Sequence, residues 1–584
     1  MNHFIGVALA LLQFINVSIG AKPNILILLV DDLGYGDLGC YGNSTIASVH
    51  IDSMAREGAL FTQMYAAASI CTPSRGSLLT GRYAIRLGLT SNDNRFRTFN
   101  SPAQTGGLPH DETTLAEVAQ RLGYRTGLIG KWHLGLGRGG EHLPIRHGFD
   151  SFFGMPVTNV QSCGNKTVYN LIGNHGEIID RSFVAYWILL TGKVWMALLV
   201  FSLTSWFFAR KLALIILLLG TGAFAVTVWY TLSFTLISSS SCLLYRNEDI
   251  IEQPVHLENL TLRNTKEAIK FIKDAILTAD QKPFFLFMSY IKVHTALFTL
   301  PENSGRSLHG PYGDNVEELD WSVGRILETL RMLNVDNDTL VFFTSDNGPF
   351  LERGTEAGFC GRATTISGTI SEPLRGAKGQ TWECGIRVPG IVRWPSQVVP
   401  GQVVHSVTSL LDIFPSLLEI WNVPPNSRYP LDGVSVWPQV SLSKDAKISL
   451  PLTTAKERDS LFHYCGSTIT ALRLGKFKAH YWTPLWDAGF QACPSVTICP
   501  CLGTQHTPPL LFDIDSDPGE TLPLDVNKHL EVLSSMDAAI RKHQDTIVPV
   551  TNQVETLGLP WLFPCCNAHG WTRIFRLVTN SCHC

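Results

Sequence analysis

No polybasic run and no internal repeat occurs in this chain of 584 residues. Lys and Arg number 46 against 49 Asp and Glu, a net charge of −3, so the basic footprint that nucleic-acid binding requires is missing. The cysteines also lack the regularly interleaved histidines of a zinc module. Cys465, Cys493, Cys499 and Cys501 form one close group, and Cys565, Cys566, Cys582 and Cys584 another. With 14 cysteines in all, disulfides in an oxidising compartment are the expectation. Sequons at Asn43, Asn165, Asn259 and Asn337 agree with exposure to that compartment.

What is abundant is apolar sequence. The mean hydropathy of +0.12 is high for a soluble enzyme and asks for a membrane segment. Residues 1–20 read as a signal peptide, with an apolar run from Phe4 to Ile15 and small residues at Ser18 and Gly20. Two further apolar stretches, 183–208 and 212–236, are each long enough to cross a bilayer. Arg210 and Lys211 form the tight link between them, and aromatic residues such as Trp195, Trp206, Trp229 and Tyr230 suit membrane interfaces. The expectation is a transmembrane helical hairpin over 183–237, its basic tip cytosolic and its base bracketed by Cys163 and Cys242. A buried hairpin in a large core is the alternative.

The rest follows an α/β pattern. Residues 24–30 are a continuous apolar run ending in Asp31-Asp32, as expected of a strand buried on both faces of a parallel sheet. Residues 126–129 lead into Gly130-Lys131-Trp132-His133, 284–290 lead towards His294, and 340–344 into Ser345-Asp346-Asn347-Gly348. Between them, Thr114-Leu-Ala-Glu117 opens a helix with a capping box. Val316, Leu319, Val323, Ile326 and Leu330 trace the apolar face of another. Alternating strands and helices predict an α/β sandwich around a large, mostly parallel sheet. Ligands bind beyond the carboxyl ends of such strands, so four strands deliver charged or imidazole groups to one site. Asp31, Asp32, Asp346 and Asn347 there offer only oxygen donors, which favour calcium or magnesium over zinc.

Between the first two of these strands lies Ser69-Ile-Cys-Thr-Pro-Ser-Arg-Gly-Ser-Leu-Leu-Thr-Gly81. A helix starting near Pro73 places Cys71 at its positive N-terminus, where nucleophiles and anions are stabilised. Arg75 falls one turn on, and Gly81 is a C-terminal stop. This stretch resembles the signature of the sulfatase family, in which the cysteine of Cys-x-Pro-x-Arg becomes formylglycine in the endoplasmic reticulum. Residues 123–133 resemble the second signature of that family.

The resemblance implies an alkaline-phosphatase-like fold and a sulfuric ester hydrolase. It implies one calcium ion on Asp31, Asp32, Asp346, Asn347 and the modified Cys71. It further implies catalytic roles for Cys71, Arg75, Lys131, His133, His294 and Lys378. Hydrated formylglycine would attack sulfur with help from Asp346 and the metal, while Lys378 and His294 assist the departing alcohol. His133 would then take a proton to release sulfate, with Lys131 and Arg75 as fixed positive charge. A formylglycine-generating enzyme is the implied partner in maturation, and with Cys71 modified an odd number of cysteines remains, so one thiol should stay free.

The hairpin narrows the resemblance to the subgroup of steroid sulfatase and arylsulfatases D, E, F and H, whose substrates are aryl or hydrophobic sulfate esters. The implied domains are a catalytic domain in two parts, 21–182 and 238–450, around the hairpin, then a cysteine-rich α+β subdomain at 451–584. The implied place is a secretory-pathway membrane, the endoplasmic reticulum foremost, with Golgi or lysosome as alternatives and the catalytic body lumenal. Cys384 and the segment 352–372 depart from the subgroup pattern, and a cysteine pair expected around 135–147 is missing. The competing readings are a phosphoesterase of the same superfamily and a catalytically silent membrane glycoprotein of this fold.

Overall fold

The computed structural model describes residues 22–91, 97–99, 101–158, 242–351, 373–425, 430–442, 458–485 and 503–556, with shorter pieces that include Cys163, 192–197, 218–222, Cys360, Cys501, 562–566 and Cys582. The expected signal peptide, the sequon at Asn165 and most of 183–237 lie outside the described residues.

The first apolar run is strand β1 (Asn24–Val30). It joins β2 (Ala59–Tyr65), β3 (Arg125–Lys131), β4 (Ser151–Met155), β5 (Leu244–Arg246), β6 (Asp249–Glu252), β7 (Phe284–Ser289), β8 (Thr339–Ser345), β9 (Arg387–Arg393), β10 (Gln402–Val404) and β11 (Thr408–Ser409) in one sheet. The order is β10-β2-β9-β8-β1-β7-β3-β4-β5-β6, with β11 also beside β2. Ile25, Ile27 and Leu29 point into one core and Leu26, Leu28 and Val30 into the other. Side chains alternate across a strand, so a strand covered on both faces has to be apolar throughout.

Helices α1 (Val49–Arg56), α4 (Leu260–Leu277) and α5 (Gly310–Met332) cover one face. Helices α2 (Cys71–Thr80), α3 (Leu115–Arg121) and α6 (Ile413–Ile420) cover the other. In α5 the five residues of the expected apolar face are all buried. The capping box at Thr114 and Glu117 forms with both of its hydrogen bonds.

The sheet is mixed rather than mostly parallel. Strands β8, β1, β7, β3 and β4 run parallel, but β9 lies antiparallel between β8 and β2, and β5 and β6 are antiparallel at the far edge. Hydrophobic runs read alike in either direction, so periodicity does not encode this. The parallel centre, which carries the site, is as expected.

A second, antiparallel sheet of β12 (Ser460–Cys465), β13 (Thr468–Leu474), β14 (Phe477–Pro484) and β15 (Gly503–Asp513) is followed by α7 (Leu530–Gln544). Disulfides join Cys465 to Cys501, Cys565 to Cys582, Cys163 to Cys242 and Cys360 to Cys384. Cys40 keeps a free thiol.

Among the described residues no helix is long and apolar enough to cross a membrane. Within 183–237 the pieces 192–197 and 218–222 are helical. Trp195 stacks on Phe224 with ring centroids 5.6 Å apart and donates its indole N–H to Thr221 at 3.4 Å. Val194, Met196, Leu218 and Leu219 are exposed.

Candidate active site

Because β1, β7, β3 and β8 are parallel neighbours, their carboxyl ends open on one edge of the sheet. The chain leaves β1 into Asp31-Asp32, passes Lys131 into His133 at the end of β3, and leaves β8 into Asp346-Asn347. Backbone hydrogen bonds fasten these ends together. Asp31 N–H donates to the Lys292 carbonyl at 2.8 Å, and Asp346 N–H to the Val30 carbonyl at 3.0 Å. Gly379 N–H donates to Ser69 at 2.7 Å, which brings the Lys378 loop against the start of α2.

Cys71 is the first residue of α2, as expected, and Gly81 ends that helix in the left-handed conformation with φ +68°. The Cys71 thiol lies 3.5 Å from Asp31 Oδ1. Asp31 Oδ2 receives Lys131 Nζ at 2.5 Å, and Lys131 also reaches Thr158 Oγ1 at 2.9 Å. Arg75 Nε donates to Asp346 Oδ2 at 2.7 Å, and its Nη1 to Ser289 Oγ at 2.6 Å. Lys378 Nζ lies 2.6 and 2.7 Å from the two oxygens of Asp32, and Asn347 Nδ2 donates to Asp32 Oδ1 at 2.8 Å. His294 Nε2 is 3.9 Å from Asp32 Oδ2. The structure thus brings together Asp31, Asp32, Cys71, Arg75, Lys131, His294, Asp346, Asn347 and Lys378, all of them buried.

His133 is joined to the site through Thr72, whose hydroxyl donates to the His133 carbonyl at 2.9 Å. Its Nε2 lies 2.9 Å from the Phe99 carbonyl. A carbonyl only accepts, so Nε2 carries the proton and Nδ1 the lone pair. That Nδ1 is buried and has no partner among the described residues. Both Asp32 (φ 62°) and His133 (φ 60°) hold left-handed backbone, which costs a non-glycine residue about 1–3 kcal/mol at each position.

Burial dominates the titration of these groups. It pushes the Cys71 thiol up, against Lys131 and Lys378, so the unmodified side chain is a neutral thiol and a poor nucleophile. Burial and the Asp31 carboxylate push Asp346 up to about 7, against Arg75 and Lys131. Burial acts on Asp31 too, but Lys131, His294, Arg75 and Lys378 together hold it well below the usual range. Burial, Lys131 and Arg75 keep His133 neutral, and burial with Lys378 brings His294 down to about 4. In Lys378 burial is outweighed by Asp32, and its ammonium is held more firmly than usual.

Three carboxylates, Asp31, Asp32 and Asp346, face three fixed cations, Arg75, Lys131 and Lys378. Asn347 Oδ1 is buried and has no hydrogen-bond partner among the described residues, so its lone pairs are left open. Together with the carboxylate oxygens it makes a hard-donor cradle that fits calcium or magnesium. Asp31, Asp32, Cys71 and His294 place one ligand atom each within 4.8 Å of one another. His294 therefore stands among the same carboxylates. A divalent cation added to a balanced site leaves net positive charge, which suits an anionic substrate.

Sequence reasoning missed Ser289, Thr158 and the Phe99 carbonyl. Ser289 closes β7 and could have been found by asking what ends every strand of the parallel centre. Thr158 and Phe99 sit in loops, where no local signal marks them.

A parallel-centred α/β sheet with a buried cysteine at a helix start, set among carboxylates and fixed cations, defines an anionic-ester hydrolase. The sulfatase family model matches residues 23–423, and that of the C-terminal region of aryl-sulfatase matches 456–584. The chain belongs to the sulfatase family and is a sulfuric ester hydrolase. It is similar to human arylsulfatase H, with 41% identity over 94% of this chain and 96% of that relative. It is also similar to rat steryl-sulfatase, with 40% identity over 93% of this chain and 92% of the other. Among solved structures, PsFucS1 sulfatase from Pseudoalteromonas sp. superimposes with a TM-score of 0.67 at 25% identity, over 94% of this chain and 95% of that one.

Proposed function

We propose that this chain hydrolyses aryl or steryl sulfate esters with a formylglycine made from Cys71 and one bound calcium ion. The observation that carries the reading is Cys71 itself, enclosed at the start of α2, 3.5 Å from Asp31 and in one cluster with Asp32 and His294. As a thiol it is inert there; as a hydrated aldehyde it offers both a nucleophile and a second hydroxyl through which sulfate can leave. Calcium, when bound, supplies charge that holds the sulfate and polarises the nucleophile.

Asp31, Asp32, Asp346 and Asn347 hold that metal. Arg75, fixed by Asp346 and Ser289, and Lys131, fixed by Asp31, present positive charge to the sulfate. His133 accepts a proton at Nδ1, its vacant lone pair, while Nε2 stays on Phe99. Lys378 Nζ, protonated and anchored by Asp32, donates towards the leaving alcohol, with His294 beside it. The hydrophobic ester reaches this site from a bilayer that residues 183–237 enter as a helical hairpin, based on the Cys163–Cys242 disulfide. The side chains Trp195, Thr221 and Phe224, in contact across the two apolar stretches, support that reading. After removal of residues 1–20 the catalytic body faces the lumen of the secretory pathway, the endoplasmic reticulum foremost. A formylglycine-generating enzyme matures it there.

The test is the mass of the Cys71 peptide from protein made in secretory cells, followed by rates on steryl and small aryl sulfates. Loss of sulfur with gain of an aldehyde oxygen is expected. An intact thiol, in cells that convert a control sulfatase, sinks the proposal.

A further inference from the structure

On the far side of Trp132 from the catalytic cluster, three histidines meet. His110, in the loop before α3, joins His142 and His147, which follow β3; ligand nitrogens of the three lie within 4.8 Å of one another. The rings are stacked, with His110 centred 5.0 Å from His142 and 4.8 Å from His147. His142 Nδ1 bonds the Leu108 carbonyl at 3.0 Å. Nδ1 therefore carries the proton and Nε2 the lone pair, and a backbone carbonyl holding the other nitrogen is the usual second-shell support of a metal-binding imidazole.

His147 is the decisive member. Its side chain is buried at 0% exposure and neither ring nitrogen has a hydrogen-bond partner among the described residues. A buried imidazole left bare on both sides is rare in a folded protein unless something else satisfies it. His110 is exposed and makes no hydrogen bond among the described residues.

We propose that His110, His142 and His147 form a second metal site, which takes a borderline divalent cation of the zinc class. Three imidazoles and no carboxylate suit zinc, copper(II) or nickel(II), not calcium or magnesium. Three protein ligands leave a fourth position for water on the exposed His110 side. The near-parallel rings would close on an ion by rotation of His110, the exposed ring of the three. Trp132 links this site to the catalytic one. Its indole N–H donates to the His142 carbonyl at 2.8 Å, and its ring stands 5.6 Å from that of His147. An occupied site braces the turn that aims Lys131 and His133, and its role is structural.

The experiment uses full-length, calcium-saturated protein and zinc alone as the probe. One equivalent of zinc should remain after gel filtration, with a raised melting temperature. Cobalt(II) in its place should give the visible absorption of a four-coordinate site. His110→Ala, at an exposed position, should weaken zinc by more than the roughly 10–100-fold typical of losing an outer-shell partner, and abolish the melting shift. His142→Gln is the second variant and should behave alike. Asp32→Asn, in the carboxylate site, should retain the zinc. Absence of zinc from the wild-type protein overturns the proposal. So does zinc that survives His110→Ala and His142→Gln, or that is lost in Asp32→Asn.

Discussion

Two carboxylates of this molecule, Asp346 and Glu383, are both completely buried, yet one is pushed up to about 7 and the other brought down to about 2. Burial raises both. Glu383 lies where the antiparallel sheet docks on the main one, with every oxygen engaged. Oε1 receives Lys478 at 2.9 Å, and Oε2 receives Tyr65 at 2.8 Å and Arg387 at 3.3 Å. Its neighbour Glu520 takes Lys478 at 3.0 Å, His480 at 2.6 Å and the Glu383 N–H at 2.7 Å. Apart from one ring nitrogen each on His463 and His480, this cluster is satisfied within itself. Asp346 instead shares its site with Asp31 and Asp32, two more acids, beside the bare Asn347 Oδ1 and His133 Nδ1 and two strained backbone positions. The first cluster is finished by the protein alone and serves as a joint. The second is left incomplete by the protein alone, and in the proposed function a metal and a substrate complete it.

That contrast is open to experiment. The largest effect belongs to Cys71→Ala, which should lower the turnover of an aryl sulfate by on the order of 10⁴-fold or more while leaving the melting temperature nearly unchanged. Glu383→Ala should do the reverse. It takes the carboxylate from buried Arg387 and one of two carboxylates from buried Lys478, so denaturant unfolding should show a loss of about 3–5 kcal/mol, with near-normal turnover per folded molecule. If Glu383→Ala cost activity and not stability, the division between joint and site would fail. Lys378→Ala should slow turnover by roughly 10²–10³-fold, more for alkyl than for nitrophenyl sulfates, since a good leaving group needs no proton. The smallest effect is one of pH. A raised carboxyl takes up a proton as pH falls through about 7, and that proton competes with the metal. Calcium affinity, followed by titration calorimetry, should therefore weaken below pH 7 by up to about tenfold per unit. No such trend should appear in the stability contributed by Glu383 until far lower pH. Its depressed value means that stability is present above the usual carboxylate range and lost only as pH drops towards about 2.

Much of the site was legible because sequence marks strand ends well. An apolar run buried on both faces stops where the sheet stops, and the polar residues that follow, Asp31-Asp32 and Asp346-Asn347, sit at its edge. The α2 start and the capping box at Thr114 are local in the same sense. What could not be read is pairing over distance. Lys378 and Asp32 are 346 residues apart, and nothing near either one announces the other. The same holds for Glu383 with Lys478, for the antiparallel direction of β9, and for Cys384. The partner of that cysteine becomes plain only once Cys360 is found bonded to it. The disulfide ties Cys360 to the stretch that carries Glu383.

One feature of α2 also sets an order of events in time. Residue 71 is sealed at 2% exposure, with the sheet edge, Asp31 and the Lys378 loop closed around it. No enzyme could grip that side chain in the finished molecule. Any change to it must be complete while the segment is still an open strand of nascent chain, before residues some 300 positions downstream arrive to form β8 and the loop beyond. Folding is then the deadline for maturation. A variant that folds faster, or a cell that modifies more slowly, would accumulate well-formed molecules with an unchanged thiol, stable and inactive.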